Sequence, residues 1–122
     1  MKNLSKISDQ RIGVAGLSHL GLITALSLAD KKFLITALVK NKEEETNFLN
    51  GNFQFDEPDV LEVFNKVKHR LRITSEVAEL NECDVIFIAN DVPTNDNGES
   101  NLGEIEKLIN QICSKVFCLL FY

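Results

Sequence analysis

Short apolar runs alternate along the chain with longer stretches in which apolar residues recur every three or four positions. Arg11-Ile12-Gly13-Val14-Ala15 is the first run, and residues 19 to 31 then carry Leu22, Ile23, Leu26 and Ala29 at the spacing of one helical face. Lys31-Lys32 puts positive charge where a helix C-terminus favours it. Phe33-Leu34-Ile35-Thr36-Ala37-Leu38-Val39 follows as a second strand, apolar enough to be buried on both faces as in a parallel sheet. Strand, helix and strand fit into about 30 residues, the size of a minimal βαβ unit.

The alternation continues. Asn41 and Glu44 have the spacing of a capping box that opens a second helix, and Gly51 ends it. Pro58 suits the first turn of a third helix, with Val60, Leu61, Phe64 and Val67 on one face. Leu71-Arg72-Ile73-Thr74 predicts a third strand, and Val77 and Leu80 mark a brief helix after it. Asp84-Val85-Ile86-Phe87-Ile88-Ala89, apolar and β-branched, predicts the fourth strand. Residues 90 to 101 read as a polar loop with the turn formers Pro93, Asn95, Asn97 and Gly98. Asn101 with Glu104 opens a further helix marked by Leu102, Ile105, Leu108, Ile109 and Ile112, and Val116 to Phe121 is a fifth apolar strand. This order predicts an α/β fold, a doubly wound parallel sheet of about five strands with helices on both faces. Ligands of such sheets sit beyond the carboxyl ends of the strands at the switch point, which brings the turn after Ala15 and the loop after Ala89 together.

That first turn carries the chemistry. Gly16-Leu17-Ser18-His19-Leu20-Gly21 has the layout of the G-x-G-x-x-G dinucleotide fingerprint, between a strand and a helix, with Ser18 in place of the middle glycine. The predicted sheet is therefore Rossmann-like. The first glycine makes the tight turn, the last lets helix and strand pack closely, and the middle one admits the pyrophosphate to the backbone. The helix N-terminus behind the turn favours an anion. A plain strand–helix turn would suit the fold equally well. Ser18 adds a side chain at the closest approach, where its hydroxyl would donate to phosphate instead. The second strand should end in an acid that accepts from the adenosine ribose; Val39 stands there, eighteen residues after Gly21, followed by Lys40. A charge-assisted hydrogen bond contributes about 1.5–3 kcal/mol, so its loss weakens NAD by roughly one to two orders of magnitude. Lys40 and Lys42 in its place are suited to the 2′-phosphate of NADP, or are simply solvated residues at a helix start.

The remaining composition mostly excludes. The chain's 122 residues give room for one domain, and 44% apolar content supports a packed core. A net charge of −5 argues against a nucleic-acid surface, and no run approaches the roughly 20 apolar residues of a membrane span. Residues 1–6 are polar and lack the apolar core of a signal peptide, so the expected location is cytoplasmic. Cys83, Cys113 and Cys118 have no C-x-x-C spacing and read as buried thiols, and neither His19 nor His69 has a matching metal-ligand partner. No metal site is expected.

The chain resembles the N-terminal, NAD-binding domain of the UDP-glucose/GDP-mannose dehydrogenase family. The likeness runs from about Arg11 to Phe121 and is carried by Ile12 to Leu22, Glu57-Pro58, Leu71 to Thr74, Asp84 to Ala89, and Pro93-Thr94 with Gly98 and Leu102. The resemblance implies oxidation of a sugar nucleotide's primary alcohol to a carboxylate with two NAD. It implies cofactor contacts at Gly16, Leu20, Gly21 and Thr94; together with the residues around them, the candidate cofactor-binding set is Gly16, Leu17, Ser18, His19, Leu20, Gly21, Val39, Lys40, Ala89, Pro93 and Thr94. Asp91-Val92 stands where the family's loop usually carries a first proline–threonine pair. The family's catalytic cysteine, its assisting lysine and asparagine, and its sugar-nucleotide pocket lie beyond the matched region, so no catalytic residue is expected among these 122. The expectation is an incomplete domain, truncated after a strand whose covering helix is missing, from a parent that forms homo-oligomers. A non-catalytic or degenerate dinucleotide-binding module is the competing expectation.

Overall fold

The computed structural model describes residues 10–53, 58–89, 103–111 and 117–120. Five parallel strands form one sheet in the order β3-β2-β1-β4-β5, where β1 is Arg11–Ala15, β2 Leu34–Leu38, β3 Leu71–Thr74, β4 Val85–Ile88 and β5 Phe117–Leu120. The helices are α1 His19–Asp30, α2 Lys42–Leu49, α3 Pro58–Val67 and α4 Gly103–Gln111, with a 3-10 helix over Val77–Glu82 between β3 and β4. Chain order reverses between β1 and β4, and that is the switch point of a doubly wound sheet.

Alternation along the strands divides the core in two. Ile12 and Val14 of β1, Ile35 and Ala37 of β2 and Ile73 of β3 face α1 and α3, where they meet Leu22, Leu26, Val60, Phe64 and Val67. On the opposite face Ala15, Leu38, Ile86 and Ile88 pack with Leu80, Cys83 and Leu108. Register follows, because a slip of one residue would exchange the two faces: Val14 pairs with Ala37 on one side and Phe87 on the other. Gly13 lies where a Cβ would come 3.0 Å from Ile86 Cγ1 and Leu80 Cδ2, so the 3-10 helix packs close over β1.

Local chemistry sets the helix ends. Asn41 Oδ1 accepts from the Glu44 N–H at 2.9 Å, and α2 ends in a Schellman motif: Gly51 (φ 77°) donates to Phe48 at 3.0 Å and Asn52 to Asn47 at 2.8 Å. Helix α1 ends the same way with no glycine. Its final helical residue is Asp30, and Lys32 takes φ 79° while its N–H donates to Ala29 at 3.0 Å and that of Phe33 to Leu28 at 3.2 Å. The two lysines thus form the turn beyond α1 rather than its last residues. Leu61, expected on the buried face of α3, is 43% exposed, and Ile109 of α4 is 40% exposed. Ten-residue α3 buries Val60, Phe64 and Val67, a narrower stripe than the apolar residues available to it.

Candidate functional site

Three chain segments converge at the carboxyl edge between β1 and β4. The β1–α1 turn begins at Gly16, whose φ of 100° excludes most side chains and whose N–H donates to Leu38 at the end of β2, 2.9 Å away. Ser18 is the N-cap of α1. Its Oγ accepts from the Gly21 N–H at 3.3 Å and donates to the Ala89 carbonyl at 2.8 Å, a contact spanning 71 residues. Ala89 in turn extends the β1–β4 ladder by donating to Ala15 at 2.8 Å. Gly21 completes the turn: a Cβ there would run into the Gly16 carbonyl oxygen and lie 3.2 Å from Ala89 Cβ. Only glycine lets α1 start this close to the end of β1.

The electrostatics favour an anion at α1. Its first turn carries no acidic side chain, whereas the first turn of α2 already holds Glu43, Glu44 and Glu45. The first-turn amide of Leu20 has no acceptor four residues back within the helix, so by geometry it points outward, beyond the strand ends.

The other expected contacts are distributed unevenly around this turn. Leu17 is buried in the core shared with α1, which makes it a packing residue of the turn. His19 is exposed, and Leu20 is 47% exposed beside it. Val39 is 4% exposed; its side chain joins the α1-side core and its N–H donates to Thr74 at 2.8 Å. Lys40 is exposed. Lys42 pairs with Glu45 at 3.1 Å, and that hydrogen bond, with the charge of Glu45, raises its ammonium pKa above the usual lysine range. Pro93 and Thr94 lie outside the described residues.

The single hydroxyl proton of Ser18 goes to the Ala89 carbonyl. Sequence reasoning overlooked both this contact and Thr74, whose buried hydroxyl accepts from Glu76 N–H at 3.0 Å and shapes the end of β3 next to Val39. No local pattern signals a hydrogen bond between residues so far apart in the chain.

Away from this edge, at the amino end of the sheet, Arg11 donates to the fully buried Thr36 hydroxyl at 3.2 Å. Cys83 is beside them: burial pushes its thiol pKa up, opposed by its hydrogen bond with Thr36 and by the Arg11 charge. Among the described residues no group of three or more His, Cys, Asp or Glu side chains is placed to hold a metal ion. No helix among them is long and apolar enough to cross a membrane.

A parallel sheet wound in both directions from β1, with a glycine turn and a helix N-terminus at its switch point, defines a dinucleotide-type α/β domain. Residues 10–117 match the model of the UDP-glucose/GDP-mannose dehydrogenase family's NAD binding domain, and the chain belongs to that family. Similar solved structures include UDP-D-ManNAc dehydrogenase from Pyrococcus horikoshii, with TM-score 0.81 and 21% identity over 91% of this chain and 28% of that one. GDP-mannose dehydrogenase from Pseudomonas aeruginosa superposes with TM-score 0.76 and 24% identity, over 84% of this chain and 24% of that one. UDP-glucose dehydrogenase from Pyrobaculum islandicum gives 0.74 and 21%, over 82% and 24%. At these identities the likeness establishes the fold. The chain therefore spans between 24% and 28% of the length of these three enzymes. No curated protein matches the chain in sequence at a significant level.

Proposed function

We propose that this chain is the cofactor-binding part of an NAD-dependent nucleotide-sugar dehydrogenase that oxidises UDP-glucose or a similar NDP-sugar to its uronic acid. The observation that carries the reading is Gly21, seated against the Gly16 carbonyl at the switch point in a chain of this family. Gly16 to Gly21 would cradle the pyrophosphate, with the Leu20 amide as a donor, while Lys40 would lie toward the adenosine ribose and Ala89, Pro93 and Thr94 toward the rest of the dinucleotide. A bound NAD would supply the acceptor for hydride removed from the sugar's primary alcohol. The sugar-nucleotide site and the catalytic groups belong to the remainder of the parent, which we take to be a homo-oligomer. The 122-residue chain alone is expected to form no NADH from NAD with UDP-glucose or GDP-mannose, followed at the NADH absorbance.

A second reading, a non-catalytic or degenerate module that prefers NADP, is favoured by the buried apolar Val39 beside the exposed Lys40. Thermal shift of the chain with NAD, NADP and ADP-ribose separates the two. Ligand at 100 times its Kd stabilises by about 2.7 kcal/mol. Stabilisation by NAD at least equal to that by NADP supports the dehydrogenase reading. NADP favoured clearly over NAD supports the second reading, and no shift with any of the three leaves a remnant that binds none of them.

A further inference from the structure

A serine hydroxyl has one proton and two lone pairs. In Ser18 the proton is given to the Ala89 carbonyl at 2.8 Å, and one lone pair takes the Gly21 N–H at 3.3 Å. The first contact joins the start of α1 to the end of β4, the two segments that flank the switch-point crevice. The second consumes one of the first-turn amides that a helix N-terminus otherwise presents to an anion. A dinucleotide's diphosphate carries only acceptors at neutral pH, and the Ser18 side chain presents to it a Cβ and a lone pair, its hydroxyl proton being held by Ala89. Gly21 seats α1 close against both segments, since a Cβ there would run into the Gly16 carbonyl oxygen and lie 3.2 Å from Ala89 Cβ.

We propose that Ser18 is an internal clasp across the switch point that sets the dinucleotide affinity of this domain low, by holding the Gly21 amide and filling the space a diphosphate would enter. The proposal rests on the dinucleotide reading above. The clasp acts by position and takes no part in chemistry. Ser18→Gly removes the Cβ and the hydroxyl and frees the Gly21 amide; Ser18→Ala frees the amide and keeps the Cβ.

The test is calorimetric titration of the 122-residue chain and both variants with NAD, alongside amide hydrogen exchange at Gly21 without ligand. Ser18→Gly is expected to bind NAD on the order of tenfold more tightly, the effect of about one polar contact. Ser18→Ala should fall between it and the parent, and Gly21 should exchange faster in both variants. If the parent binds NAD and neither folded variant binds it more tightly, the clasp is overturned and the dinucleotide reading stands. If no folded form binds NAD, both are overturned. Should Ser18→Gly fail to fold, the comparison of Ser18→Ala with the parent decides in the same way.

Discussion

Gly21→Ala is the substitution that best tests the geometry of the turn. The new Cβ would overlap the Gly16 carbonyl oxygen and come 3.1 Å from its carbon and 3.2 Å from Ala89 Cβ. Two of these three neighbours are main-chain atoms. Gly16 is itself held by its hydrogen bond to Leu38 and by a φ of 100°, so α1 must lift away from the end of β1. Overpacking costs about 1–3 kcal/mol where side chains can adjust, and a main-chain collision belongs at the upper end, about 3 kcal/mol. Alanine in place of glycine within a helix returns about 1 kcal/mol. The net expected loss is about 2 kcal/mol, or roughly 8 °C in Tm for a chain of this size.

Gly13→Ala is the matched control. Its Cβ would meet Ile86 Cγ1 and Leu80 Cδ2 at 3.0 Å and Cys83 Sγ at 3.2 Å, all side-chain atoms that yield by a few tenths of an ångström. Relief of glycine's excess entropy, about 0.5–1 kcal/mol, offsets much of that strain. Urea unfolding followed by circular dichroism, with m unchanged, measures both variants. Gly21→Ala must be the more damaging of the two. The reasoning is refuted if it lies within about 0.5 kcal/mol of the parent, a difference too small for a main-chain collision, or if Gly13→Ala costs more.

Three further outcomes can be checked on the same chain. Lys32→Gly should stabilise by about 1 kcal/mol, because the left-handed conformation penalises a side chain and the Lys32 carbonyl that accepts from Arg70 at 3.2 Å is kept; a lower urea midpoint would contradict it. Burial raises the Cys83 thiol above its ordinary 9.0, so the folded state holds that proton more tightly than the unfolded state; its stabilisation is complete below pH 9.0 and declines as pH rises toward the folded value. Cys83→Ala should therefore flatten the fall in stability above pH 9.0, and equal slopes in both proteins would count against it. Lys66→Ala should change stability by less than about 0.5 kcal/mol, since its ion pair with Asp30, at 3.1 Å, has side chains 71% and 48% exposed; a larger loss by urea unfolding would mean that the pair holds α1 to α3.

Most of the architecture was legible because the two periodicities are strong. The four residues Leu71 to Thr74 form β3 over the predicted span, and Val85–Ile88 lies inside the run predicted for β4. Asn41 and Gly51 mark the ends of α2 through local chemistry, which a sequence displays directly. The limits of the pattern appear at Leu61 and Ile109, apolar residues in helical register that remain exposed because each helix buries only part of its apolar face. The end of α1 was less legible for a related reason: lysine at φ 79° does by strain what glycine does freely, and its charge suggests the wrong role. The family assignment and the doubly wound sheet agree with the sequence reading, because glycine spacing and strand order are properties of the chain itself.

The cofactor end of the site was harder to read, and Ser18 and Val39 show why. Each stands at a position where a dinucleotide domain normally serves the ligand; from sequence Val39 reads as a missing ribose acceptor and Ser18 as an added hydroxyl facing phosphate. In the structure both serve the fold. The Ser18 hydroxyl ties α1 to Ala89 and holds the Gly21 amide, and the Val39 side chain fills the α1-side core while its N–H continues the sheet to Thr74. A residue that gains such internal partners contributes to stability, so replacing it by the ligand-directed residue should trade stability for affinity. For Val39→Asp the trade is unfavourable on two counts: the carboxylate would enter a position 4% exposed, and burial of an unpaired charge would push it toward the neutral form, which accepts poorly from a ribose. For Ser18→Gly the trade is milder: glycine at an N-cap costs only a few tenths of a kcal/mol, the lost hydrogen bond to the Ala89 carbonyl adds about 0.5–1.5 kcal/mol, and no buried charge is created. The two positions therefore differ in reversibility. Affinity is expected to be recoverable at the turn by one substitution, whereas the end of β2 requires its surrounding core to be rebuilt before an acid there would face a ribose.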